Sequence, residues 1–130
     1  MSTNIVLELL LDQERAEEVE RFLRNTPPER LYLSEFALYS LGIILFRYRE
    51  HDAFLQIVQD LLTTNRIQLV RLGEAEMQSI VHAAQRFNLD FDDAYQYVTA
   101  ERYNLTIVSF DGDFDRTERG RRTPGAVLAG

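Results

Sequence analysis

Short apolar runs rich in β-branched residues, separated by longer amphipathic stretches, are the feature that most narrows what this chain can fold into. Segments 31–33, 67–72 and 106–110 read as strands. Between them, Ser34 can cap a strongly apolar helix carrying Phe36, Leu38, Leu41, Ile44, Leu45 and Tyr48, the expected central core helix. Residues 52–62 form a further helix, and 73–87 another with Met77, Ile80, Val81 and Ala84 on one side. Asp90 can cap a helix running to about Tyr103. Ahead of these, residues 4–12 predict a buried first helix behind a Thr3 or Asn4 cap. Residues 13–25 predict an amphipathic helix that Pro27 and Pro28 end. The tail, with Gly120, Pro124 and Gly125, reads as loop except at 126–128. Strands joined through helices pair in parallel by right-handed crossovers, so the expected class is α/β: a helix-sheet-helix sandwich around a short central parallel sheet, in one domain spanning 1–130. Ligands in such sheets sit beyond the carboxyl ends of the strands.

Composition removes several chemistries. No cysteine is present, which excludes disulfides and thiolate metal sites and fits a reducing, cytoplasmic setting. The apolar runs are far shorter than the roughly 20 residues that span a bilayer, and no basic stretch precedes an apolar one at the N-terminus, so neither membrane insertion nor secretion is expected. All 14 basic residues are arginine. Without lysine there is no P-loop, no Schiff base and no phospho-receiver site. A net charge of -7 argues against broad electrostatic binding to nucleic acid, so any such contact is expected to be local.

Carboxylates fall where this architecture would gather them. Glu35 starts the helix after the 31–33 strand and shares a side with Leu38, Gly42 and Leu45. Asp93 lies in the first turn of its helix on the face of Tyr97 and Ala100, while Asp92 projects about 100° away. Asp111 and Asp113 follow the 106–110 strand in the run Asp111-Gly112-Asp113-Phe114-Asp115. Singly, Glu35 and Asp93 suit helix N-termini and Asp113 suits a turn. Together, several carboxylates within a few ångströms repel unless a cation neutralises them, and oxygen ligands without histidine or cysteine select magnesium or manganese. A calcium loop counted from Asp111 would need Gly and Glu where Arg116 and Arg122 stand. A haloacid-dehalogenase-like nucleophile motif would need a supporting lysine and far more chain than the 17 residues after Asp113.

The stretch Asp92-Asp93-Ala94-Tyr95 through Ala100, followed by Leu105 to Phe114, resembles the PIN-domain pattern of an Asp-Ala helix and a strand ending in Thr/Ser-x-Asp-x-Asp-Phe. Ser34-Glu35 resembles the family's middle glutamate, and Thr3-Asn4-Ile5-Val6-Leu7 its opening segment. The resemblance to VapC-like toxins of this family implies that Glu35, Asp93, Asp111 and Asp113 hold one or two Mg2+ or Mn2+ ions for hydrolysis of RNA phosphodiester bonds. It also implies that Asn4 and Ser109 orient ligands or water from behind them, and that the chain works as a homodimer held by a small antitoxin protein. Arg116, Arg119, Arg121 and Arg122 suit either a clamp on RNA phosphates or a solvated tail. Ser2 stands where the family has its first aspartate, and only Met1 precedes it, so the family's first strand is expected to be missing or truncated. Either the true start lies upstream, or the chain is a catalytically impaired binding or regulatory module. Glu8, one helical turn beyond Asn4, is read as a surface acid.

Overall fold

The computed structural model describes residues 5–7 and 16–129. Four short strands form one parallel sheet in the order β3-β2-β1-β4, with β1 at Ile5–Leu7, β2 at Leu31–Ser34, β3 at Gln68–Val70 and β4 at Thr106–Val108. Every connection carries a helix, as parallel pairing requires. The helices are α1 (Ala16–Asn25), α2 (Glu35–Arg47), α3 (His51–Val58), α4 (Met77–Phe87), α5 (Phe91–Tyr103) and α6 (Pro124–Ala129).

The first helix expected over 4–12 is replaced by a strand at its centre. Ile5 pairs with both Leu31 and Thr106, and Leu7 with Val108, so β1 is an interior strand of the sheet. A short apolar run such as Ile-Val-Leu is read equally well as buried strand or buried helix, and the vacant place between β2 and β4 decides for strand. The interior strand expected to be missing is therefore present at Ile5–Leu7, after Ser2; residues 1–4 and 8–15, which include Ser2, Asn4 and Glu8, lie outside the described residues.

The central helix is α5, not α2. Every residue from Asp93 to Ala100 is buried, which a helix achieves only when elements cover it on all sides. One cluster gathers Ile80, Leu89, Tyr97, Ile107 and Phe114 around α5. A second gathers Phe22, Leu31, Leu33, Leu38 and Val108 on the other side of the sheet. α2 buries Ala37, Leu38, Leu41 and Leu45, yet leaves Tyr39, Ile43 and Phe46 exposed, and Tyr48 at its C-cap is exposed as well. On α4 the inward residues are Ile80 and Ala83, whereas Met77 and Val81 face outward: the buried stripe is rotated from the expected one because α4 packs chiefly on α5.

Local signals hold at several ends. Ser34 Oγ accepts a hydrogen bond from the Ala37 N–H at 3.0 Å, capping α2. Asp90 precedes α5 at the cap position but makes no side-chain cap bond. Asn88 and Asn104 close α4 and α5 in the left-handed region, at φ 54° and 55°. α3 runs on into a π-helical turn, Gln59–Thr64. The tail is more ordered than its glycines suggest. The Arg122 N–H donates to Ile107 O and the Ser109 N–H to Arg122 O, both at 2.9 Å, so residue 122 covers the outer edge of β4.

Candidate metal centre

Three of the expected acids converge. One carboxylate oxygen from each of Asp93, Asp111 and Asp113 lies within 4.8 Å of those of the other two. The site stands at the carboxyl end of β4, where the sheet's amide and carbonyl ladder stops. Asp93 comes from the first turn of α5 and is 4% exposed, while Asp111 and Asp113 are half-buried.

The loop that carries Asp111 and Asp113 is shaped by its own side chains. Buried Ser109 accepts from the Asp111 N–H through its hydroxyl at 2.9 Å, and Asp111 Oδ1 accepts from the Asp113 N–H at 2.9 Å. Each is a short polar residue bonding two positions ahead, the local alternative to continuing a strand. A 3-10 turn, Gly112–Arg116, follows, and Phe114, fully buried, pins it to the core. Sequence reasoning missed Phe114 as the loop's anchor, although an aromatic residue amid aspartates was the available signal.

Glu35 does not join the three aspartates within that limit. It begins α2 directly after β2, its side chain 30% exposed, with Arg71 Nε 4.0 Å from Oε2. The reason is topological: β2 and β4 flank β1, so their ends stand two strand spacings apart, about 9.5 Å.

The four arginines after the acidic run are all engaged with the chain itself. Arg116 bonds Asp113 Oδ1 at 3.0 Å, Phe87 O at 3.1 Å and Asn88 O at 2.6 Å. Arg119 donates to Leu105 O, Arg121 to Ser109 O and Asp115, and Arg122 to Ala126 O. Arg116 and Arg121 tie the tail to the acidic loop, Arg119 ties it to the amino end of β4, and Arg122 bonds within the tail itself.

One polar group near the site was not foreseen. Gln96, three residues after Asp93 and 4% exposed, has a buried Oε1 that no donor of the described residues reaches. Positions three apart on a helix are neighbours, so this acceptor lies one turn along α5 from Asp93. The signal was its spacing from Asp93. Three converging carboxylates are oxygen donors of the kind a hard, hydrated divalent cation takes, and the residues fit such an ion.

A family model for the PIN domain matches residues 2–120. The chain belongs to the PIN domain family. PIN domains are in general nucleases that use divalent metals. Two solved structures share the fold. One is PAE2754 from Pyrobaculum aerophilum, with a TM-score of 0.70 and 15% identity, over 99% of this chain and 95% of that one. The other is VapC20 of Mycobacterium tuberculosis, described as a Sarcin-Ricin loop cleaving toxin, with a TM-score of 0.70 and 18% identity, over 86% of this chain and 93% of that one. No curated protein matches the sequence. Among the described residues, no helix of this PIN domain is long and apolar enough to cross a membrane.

Proposed function

We propose that this PIN domain is a Mg2+- or Mn2+-dependent endoribonuclease, acting in the cytoplasm as the toxin of a toxin-antitoxin pair. The observation that carries the reading is the convergence of Asp93, Asp111 and Asp113 at the carboxyl end of a parallel strand. The three aspartates would hold the ion, and Glu35, at the start of α2, is the further ligand that the resemblance assigns. When bound, the ion supplies an acidified water and charge neutralisation at the phosphate. Ser109 fixes the backbone that aims Asp111, and Asn4 is assigned a similar orienting role. Arg116 and Arg121, whose side chains bond Asp113 and Asp115, are the arginines nearest the acidic run and suit RNA phosphates, and Arg119 and Arg122 are assigned the same role from their place in the tail. The exposed apolar side of α2, at Tyr39, Ile43 and Phe46, suits a second copy of the chain or an antitoxin.

The test is cleavage of RNA by the purified protein with Mn2+, compared with Asp93→Asn and Asp111→Asn. Cleavage that both substitutions abolish, with folding intact by circular dichroism, is the expected result; full activity in either variant overturns the site assignment. The second reading, an impaired PIN-like binding or regulatory module, draws on Ser2 and on Glu35 standing outside the aspartate cluster. It predicts Mn2+ binding without cleavage.

A further inference from the structure

Arg116 is placed by two partners that have nothing to do with the aspartates. Its Nε donates to Phe87 O at 3.1 Å and its Nη2 to Asn88 O at 2.6 Å. Phe87 is the last residue of α4 and Asn88 its left-handed cap, so these carbonyls stand at the negative end of a helix, where a cation is favoured. The third nitrogen, Nη1, is thereby delivered to Asp113 Oδ1 at 3.0 Å. Asp113 is one of the three converging carboxylates. A guanidinium held at three nitrogens is a fixed charge rather than a wandering side chain.

We propose that Arg116 is a resident counter-cation of the aspartate cluster, competing with a divalent ion for Asp113. The inference rests on the metal-dependent reading above. It assigns Arg116 two opposed effects. In the metal-free protein it relieves the mutual repulsion of the carboxylates. Against an incoming ion it is a like charge already bonded to one of the ligands, so it weakens uptake. Both partners are close to half exposed, 44% for Arg116 and 45% for Asp113, so the effect is screened and fades as salt rises.

The experiment is calorimetric titration with Mn2+ alone of the wild type, Arg116→Gln and Arg116→Lys. Arg116→Gln is expected to bind Mn2+ about threefold to tenfold more tightly, the scale of one partly screened unit charge beside the site. Arg116→Lys keeps the charge and loses the planar fork, and is expected to stay close to wild type. If Gln binds no tighter than wild type, or if Lys tightens binding as much as Gln, the resident-cation role is overturned while the metal reading survives. If neither wild type nor Arg116→Gln takes up Mn2+, the metal reading falls and this inference with it. Should Arg116→Gln not fold, the Arg116 Nε–H resonance of the wild type answers instead: it is expected to shift on titration with Mg2+, and a resonance that stays fixed at saturating Mg2+ overturns the competition.

Discussion

The hydroxyl of Ser109 receives the Asp111 N–H at 2.9 Å, and Ser109 itself is 1% exposed. A buried hydroxyl at the end of β4 therefore sets the direction in which the chain leaves the sheet and presents Asp111. Ser109→Ala strands that N–H without its acceptor, at a cost of about 1–2 kcal/mol. Urea unfolding should show the loss, and Mn2+ titration should show weaker binding. Unchanged affinity in a destabilised variant would reduce Ser109 to a purely structural group.

Metal addition should stabilise the fold by mass action. At one hundred times the dissociation constant, an ion that binds only the native state adds about 2.7 kcal/mol. The melting temperature should rise with Mn2+ or Mg2+, and EDTA should reverse the rise. Asp93→Asn should melt at the same temperature with and without the ion. A metal-induced rise retained in Asp93→Asn would remove Asp93 from the ligand set.

Phe114 is fully buried and lies between Asp113 and Asp115. Phe114→Ala should cost about 3–5 kcal/mol, the range for emptying a packed aromatic site. Phe114→Leu should cost less and keep the loop seated. Measured by urea unfolding, equal losses in the two variants would show that ring volume is not what pins the loop.

Burial, followed by the carboxylates of Glu101 and Glu118, pushes the Tyr97 phenol above its ordinary 10.0. The folded state thus holds this proton more tightly than the unfolded chain. Its contribution to stability is complete below about pH 10 and is lost as pH rises through the folded value. Tyr97→Phe, which retains the ring beside Phe87, should lose stability less steeply than wild type above pH 10. Parallel alkaline unfolding curves would contradict this.

Much of the architecture is legible in local chemistry. Ser34 before an apolar run announces the start of α2, Pro27 and Pro28 announce the end of α1, and Asp113 suits the turn that the Ser109 and Asp111 side chains close. Asp93, Asp111 and Asp113 were identifiable because their positions, a first helical turn and a strand's end, are fixed by the same local patterns. β1 was not legible, since three apolar residues carry no period long enough to tell strand from helix.

By itself, the sequence determined the alternation of strands and helices, the acids that could meet, and the chemistry that an all-arginine, cysteine-free chain forgoes. Only the tertiary structure decided which acids do meet. Asp93 and Asp111 come together because α5 packs on β4, while Glu35 stands apart because β1 lies between β2 and β4. It also decided that α5 rather than α2 is enclosed on all sides, and that Arg116 is turned onto Asp113 by the end of α4. Strand order and helix packing set these distances, and both depend on contacts between residues far apart in the chain, which no local pattern encodes.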